Sequence, residues 1–201
     1  MAEERFDQKL NIRTTGLREW PGRNNPYNRY EPTPYKALET LFQNYKLDPQ
    51  DQVVDFGCGR GRVTFYVHNR FQIPVIGIEA NDETYDEALD NKVRYREKAR
   101  HIDSPVRLKY GLAEHYEIKP ADNKFYFFNP FKVNIFKDVL KNIVDSANEH
   151  KKTIDIILYY PMCEYKKILE KYKDFQIVNK IRVPKALDPK EKFIIYRMKF
   201  D

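Results

Sequence analysis

Between residues 53 and 61 the chain reads Val53-Val54-Asp55-Phe56-Gly57-Cys58-Gly59-Arg60-Gly61. A short apolar run carries one acid into three alternate glycines, and a helical pattern opens directly behind them. Glycine lets backbone bend sharply and come close to a ligand, and the free amides at a helix start suit a carboxylate or phosphate. One strand-helix unit later, Gly77-Ile78-Glu79 sets a second acid at a strand end. There a carboxylate can accept from both hydroxyls of a ribose and repel a phosphate on that sugar, or simply favour the dipole of the next helix. The two acids and the glycine turn together point to a ligand with a nucleoside part. A dinucleotide fingerprint spaces its glycines G-x-G-x-x-G, whereas here they stand at Gly57, Gly59 and Gly61.

This acid-led glycine pattern resembles motif I of class I S-adenosylmethionine-dependent methyltransferases, and the order of elements from Tyr27 to Asp201 resembles theirs. The resemblance implies S-adenosylmethionine as cofactor, with the loop beside its methionine part, Asp55 orienting that part and Glu79 holding the ribose. It places Gly111-Leu112-Ala113-Glu114 at the adenine, with the Ala113 amide donating and Glu114 accepting from the amino group; the family more often has Asp just after the glycine. Phe127-Phe128-Asn129-Pro130-Phe131 resembles the Asn/Asp-Pro-Pro-Tyr/Phe motif of amine-directed methyltransferases, with one proline fewer. On that resemblance Asn129 and the neighbouring carbonyl of Pro130 hold the acceptor amine and Phe131 stacks on a planar target. The alternative for this segment is a helix cap at Asn129 and a core position for Phe131. Thr33-Pro34 is similar to the Thr-Pro element that closes over the cofactor in amine-methylating nucleic-acid enzymes, and equally suits a capped helix start. Tyr30 and Tyr35 are placed to face the sulfonium or to pack, and Tyr160 to border the substrate pocket.

These groups need a scaffold that brings distant strand ends together. Ala37, Leu38, Leu41, Phe42 and Tyr45 recur on one helical face. Strands are expected at 53–56, 74–79, 106–110, 124–128 and 154–160. The helices between them are expected near 63–71, 83–101 and 135–144, with a short one over 164–172. The runs near 175–183 and 193–200 have only a loop between them, so they are expected to pair antiparallel. The predicted fold is therefore α/β, a Rossmann-like three-layer sandwich around a seven-stranded, mainly parallel sheet with an antiparallel last strand. Residues 1–26 show little apolar periodicity and are expected to form an arm or lid; the resemblance implies a class I methyltransferase domain over residues 27–201.

The 201 residues suit one domain, and 15 tyrosines and 13 phenylalanines within a 41% hydrophobic composition argue against disorder. The charged N-terminus lacks an apolar run behind it and no segment reaches membrane-spanning length, so neither a secretory signal nor a membrane partner is expected. Two cysteines, Cys58 and Cys163, point to a reducing cytoplasm rather than a disulfide framework. The four histidines form no ligand-like cluster and no metal is expected. A net charge of +6 favours encounter with polyanions without establishing nucleic-acid binding, because the basic run from Lys92 to Arg100 also suits a solvated helix face. The expected function is methyl transfer to a nitrogen of an RNA or protein, with a small amine also open and the oligomeric state unspecified. Two competing readings are a cofactor-binding sensor or partner subunit without catalysis, and a nicotinamide oxidoreductase on the same sheet.

Overall fold

The computed structural model describes residues 2–19 and 26–200. Seven strands form one sheet: β1 (Val53–Phe56), β2 (Val75–Glu79), β3 (Val106–Tyr110), β4 (Lys124–Phe127), β5 (Ile154–Tyr159), β6 (Phe175–Arg182) and β7 (Lys192–Met198). Their spatial order is β3-β2-β1-β4-β5-β7-β6. Every neighbouring pair is parallel except those that β7 makes with β5 and β6. The expected mainly parallel sheet with one antiparallel strand is thus borne out. β1, β2, β4 and β5 are buried along their whole length, as continuous apolar runs covered on both faces must be. The edge strand β6 is mostly exposed and carries an irregularity between Ile177 and Asn179.

Helices α1 (Ala2–Leu10), α2 (Tyr35–Asn44), α3 (Arg62–Phe71) and α4 (Asp82–Lys98) precede β3, while α5 (Val133–His150) and α6 (Cys163–Leu169) flank β5. Two cores result. One packs Leu38, Leu41, Phe65 and Tyr95 against the sheet; the other packs Phe136, Leu140, Ile143 and Tyr165 against its opposite face. No helix among the described residues is long and apolar enough to cross a membrane.

Two local expectations change. Thr33 does not cap α2, because its hydroxyl is buried against the Tyr126 hydroxyl at 2.9 Å; Pro34 is the cap residue, and its carbonyl receives the Ala37 and Leu38 amides. Residues 2–19, where apolar periodicity is sparse, hold α1 and a segment bound to the sheet side by buried Leu10 and Ile12 and by polar contacts. Asp7, buried, accepts from the Thr14 amide (2.5 Å), the Thr14 hydroxyl (2.7 Å) and the Tyr35 hydroxyl (2.6 Å). Arg62 Nε donates to Thr14 Oγ1 at 2.7 Å, and Arg62 also pairs with Glu3. Of the expected arm or lid over residues 1–26, Met1 and residues 20–25 lie outside the described residues.

Candidate functional site

The strand order reverses between β1 and β4, so the chain leaving these two strands diverges and opens a crevice at their carboxyl ends, where ligands of open α/β sheets bind. That crevice is lined by Thr33, Asp55, Gly57, Glu79, Ala113 and Tyr126, among others. Parallel pairing puts Asp55 level with Gly77 on one side and Tyr126 on the other.

The glycine loop forms its floor. Gly57 and Gly59 have φ of +71° and +55°, and a Cβ on either would lie 2.3 Å from Pro130 Cβ or 2.2 Å from the Tyr30 ring. Both the conformation and the space therefore require glycine. The Gly57 and Cys58 amides donate to the Ile78 carbonyl at 2.9 and 3.0 Å, which ties the loop to β2. Gly61 begins α3 and packs against Phe65 instead of the crevice.

Asp55 is buried and receives one side-chain hydrogen bond, from Thr64 Oγ1 at 2.9 Å. Burial pushes its pKa up to about 7 against that hydrogen bond, and the charge of Glu79 pushes the same way. Glu79 is equally buried but better satisfied. Its Oε1 accepts from the Ala80 and Asn81 amides, both at 2.9 Å, and its Oε2 from the Gly59 amide at 2.8 Å. Burial still raises its pKa, the three amides opposing. A carboxylate offers about four lone-pair sites, so three donors leave Oε2 one further acceptor position.

The expected adenine-side groups are brought together, but around a protein side chain. The Tyr27 hydroxyl accepts from the Ala113 amide at 3.2 Å and donates to Glu114 Oε2 at 2.7 Å. The segment around Tyr27 pairs with the chain that follows β4. Tyr27 and Phe131 form an antiparallel bridge, the Asn28 amide donates to the Pro130 carbonyl (2.9 Å), and the Lys132 amide to the Pro26 carbonyl (2.7 Å). With residues 26–33 laid across it, the crevice keeps a free volume of about 50 Å³.

Asn129 sits at φ +43°, and its Nδ2 donates to the Tyr160 carbonyl at 2.7 Å. That acceptor fixes the amide orientation and turns Oδ1 the other way, with no hydrogen-bond partner for it among the described residues. The expectation that Phe131 stacks on a target is corrected. The turn at Asn129 sends its ring into the core, fully buried, edge-on to Phe127 (6.1 Å) and Tyr27 (5.9 Å). Phe128 lines the crevice instead, edge-on to Tyr159 at 4.7 Å. Tyr35 is likewise in the core, stacked on Phe6 at 4.7 Å, whereas Tyr30 does line the crevice and lies beneath the Arg60 guanidinium at 4.9 Å. Tyr160 reaches the site through its carbonyl; its hydroxyl donates to Asp188.

Thr64, Tyr126, Phe128, Tyr27 and Asn28 were not singled out by sequence. Thr64 lies three residues beyond the last glycine, and Tyr126 faces Asp55 only once β1 and β4 are known to be neighbours. Phe128 and Phe131 are indistinguishable without the backbone turn between them.

No protein-family model matches the chain. Over 67 residues, 33% of its length, it is 37% identical to a protein-lysine N-methyltransferase of Saccharolobus islandicus, and it spans 42% of that relative. An RNA methyltransferase from Salinibacter ruber, solved in complex with S-adenosyl-L-homocysteine, superposes with a TM-score of 0.57 at 14% identity, covering 85% of this chain and 94% of that one. A geranyl diphosphate C-methyltransferase from Streptomyces coelicolor does so with a TM-score of 0.51 at 14% identity, covering 83% and 78%. At these identities the superpositions establish the shared Rossmann-like fold.

Proposed function

We propose that this chain is an S-adenosylmethionine-dependent methyltransferase acting on a nitrogen, with the side-chain amine of a protein lysine as acceptor. The observation that carries the proposal is the glycine turn held between two buried carboxylates, Asp55 and Glu79, at the switch point of the sheet.

The residues fit the cofactor. Glu79 keeps one acceptor position for a ribose hydroxyl, and Asp55, with a single side-chain donor, has capacity left for an ammonium. The Ala113 amide and Glu114 form a donor-acceptor pair of the kind an adenine edge needs. Nucleotide-sized ligands occupy clefts of roughly 300–1,000 Å³, so the segment over residues 26–33 must move before the cofactor enters. Once bound, S-adenosylmethionine supplies an electrophilic methyl on a sulfonium.

This chain then has to present the acceptor and keep it neutral. Asn129 Oδ1, oriented by the Tyr160 carbonyl, accepts a hydrogen bond from the amine and aims its lone pair along the line of transfer. An alkylammonium must lose its proton before attack, and the aromatic wall at Phe128 disfavours the charged form. The carboxylates of Glu31, Asp188 and Glu191 lie near Tyr159 and Tyr160 at this rim, where they attract a protonated lysine and repel a polyanion before the amine reaches the apolar wall and loses its proton to solvent. The lysine specificity named for the Saccharolobus relative supports the same choice. RNA, in line with the net charge of +6, is the second acceptor class.

A non-catalytic cofactor-binding module is favoured by one observation, the burial of Phe131 where the amine-directed motif calls for an exposed aromatic ring. Incubation with methyl-labelled cofactor and separate protein and RNA pools decides between these readings. Label recovered as methyl-lysine is the expected result. Label in RNA would replace the acceptor, and tight cofactor binding with no transfer to either pool would leave the binding module.

A further inference from the structure

Resting on the reading of this crevice as a cofactor site, we infer that residues 26–30 are an internal competitor of the cofactor, with the Tyr27 phenol occupying the position of the adenine edge. Adenine offers its site an acceptor ring nitrogen beside a donor amino group. The Tyr27 hydroxyl offers the same pair from one atom, accepting from the Ala113 amide at 3.2 Å and donating to Glu114 Oε2 at 2.7 Å. Both groups are thus satisfied in the closed chain, so no unpaired polar atom drives the segment open. Burial and the Glu114 carboxylate push the phenol pKa well up, and the hydroxyl remains a donor throughout the neutral range.

The same segment also covers the acceptor side. The Asn28 amide holds the Pro130 carbonyl at 2.9 Å and Asn28 Nδ2 holds the Asn129 carbonyl at 2.7 Å. One of these, the Pro130 carbonyl, is the neighbouring carbonyl that sequence resemblance assigns to the acceptor amine. A single displacement of residues 26–30 therefore frees the adenine groups and that carbonyl together. Cofactor binding becomes the event that exposes the acceptor position, giving an order in which cofactor precedes acceptor. The apparent affinity is the intrinsic affinity reduced by the fraction of molecules in which the segment is open.

The test is calorimetric titration of the full chain with S-adenosylhomocysteine, comparing wild type with Tyr27→Phe and Asn28→Ala. Removing the phenol's hydrogen bonds to Ala113 and Glu114 favours the open state, and binding is expected to tighten about fivefold in Tyr27→Phe. A smaller tightening is expected in Asn28→Ala. Unchanged or weaker binding in Tyr27→Phe, with wild type binding normally, overturns the competitor while leaving the cofactor site standing. Binding by none of the three proteins removes the cofactor reading and this inference with it. A thermal scan of each apo variant checks that it folds.

Discussion

Two sets of buried acids lie at opposite ends of the same sheet, and they are treated in opposite ways. Asp155, at the amino end of β5, is fully buried and surrounded by compensation. Arg197 donates to both its oxygens at 2.6 and 2.7 Å, Lys124 Nζ lies 3.3 Å away, and the Tyr45 hydroxyl donates at 2.5 Å. Its pKa falls below the ordinary carboxylate range, because these partners outweigh burial. Asp55, at the carboxyl end of β1, is about as deeply buried but, among the described residues, meets the hydroxyl and amide of Thr64 and no cation, and burial raises its pKa to about 7. A buried charge is tolerated where partners are supplied and is costly where they are not. The uncompensated acid is the one beside the crevice, and under the proposed function its spare acceptor capacity would be filled by a ligand that brings its own positive charge.

The largest effect expected from breaking this contrast is at Asp155. Asp155→Asn keeps the shape but leaves Arg197 without its counter-charge and Lys124 with Asp51 alone, and should cost ~3 kcal/mol in urea unfolding. Its affinity for S-adenosylhomocysteine, per folded molecule, should stay near wild type. Loss of affinity without loss of stability would mean that the two ends of the sheet do not have separate roles.

The same substitution at Asp55 should act in reverse. Asp55→Asn removes a charge that the fold does not compensate, so stability at pH 8 should hold or rise, while cofactor affinity falls about thirtyfold, or ~2 kcal/mol. The pH dependence sharpens the point. A carboxyl with a folded pKa near 7 and an ordinary unfolded value near 3.9 binds more protons in the folded state across that interval. Its contribution is therefore greatest below about pH 4 and is lost as pH rises to 7, the opposite of Asp155, whose contribution is lost as pH falls. Unfolding measured from pH 4 to 8 should show a decline in wild type that Asp55→Asn reduces, the remainder coming from Glu79, whose pKa burial also raises.

These contrasts also explain what could be read from the chain alone. The continuous apolar runs of β1, β2, β4 and β5 and the helical spacing in α2 and α5 are local signals, so element order and the parallel sheet were legible. The glycine loop was legible for the same reason, since its requirement lies in successive residues. Compensation is not local. Lys124, Asp155 and Arg197 meet only because β4, β5 and β7 are neighbours, and nothing in the spacing distinguishes Asp155 from Asp55. The acceptor side failed similarly: one left-handed residue at Asn129 decides which of Phe128 and Phe131 faces the crevice. In α1 the apolar signal is short, with Phe6 stacked on Tyr35 and Leu10 buried, and much of the rest is polar: Asp7 binds Thr14 and Tyr35, and Glu3 pairs with Arg62, groups that an apolar-periodicity reading passes over.

Asn129 provides a smaller and more specific test. Asn129→Ala removes Oδ1 from the proposed acceptor position and should lower methyl transfer about tenfold, because positioning is lost while the cofactor floor is untouched. Cofactor affinity should change less than twofold. A variant with unchanged transfer rate would remove Asn129 from the reaction and favour the binding-module reading.

The smallest effect concerns Thr64, the one side-chain donor to Asp55 among the described residues. Thr64→Val retains the shape of the side chain on α3 but takes away the hydrogen bond that opposes the burial of Asp55. The Asp55 carboxyl should then titrate higher than in wild type, and more of it would be protonated at pH 7. A protonated carboxyl attracts an ammonium less, so affinity for S-adenosylhomocysteine at pH 7 should weaken two- to threefold, near the lower end of the ~0.5–1.5 kcal/mol that one hydrogen bond contributes. The decisive feature is recovery: at pH 8.5 the carboxylate forms again and the deficit should shrink. A deficit that stays constant from pH 6.5 to 8.5 would mean that Thr64 acts through packing and that the charge of Asp55 does not govern binding.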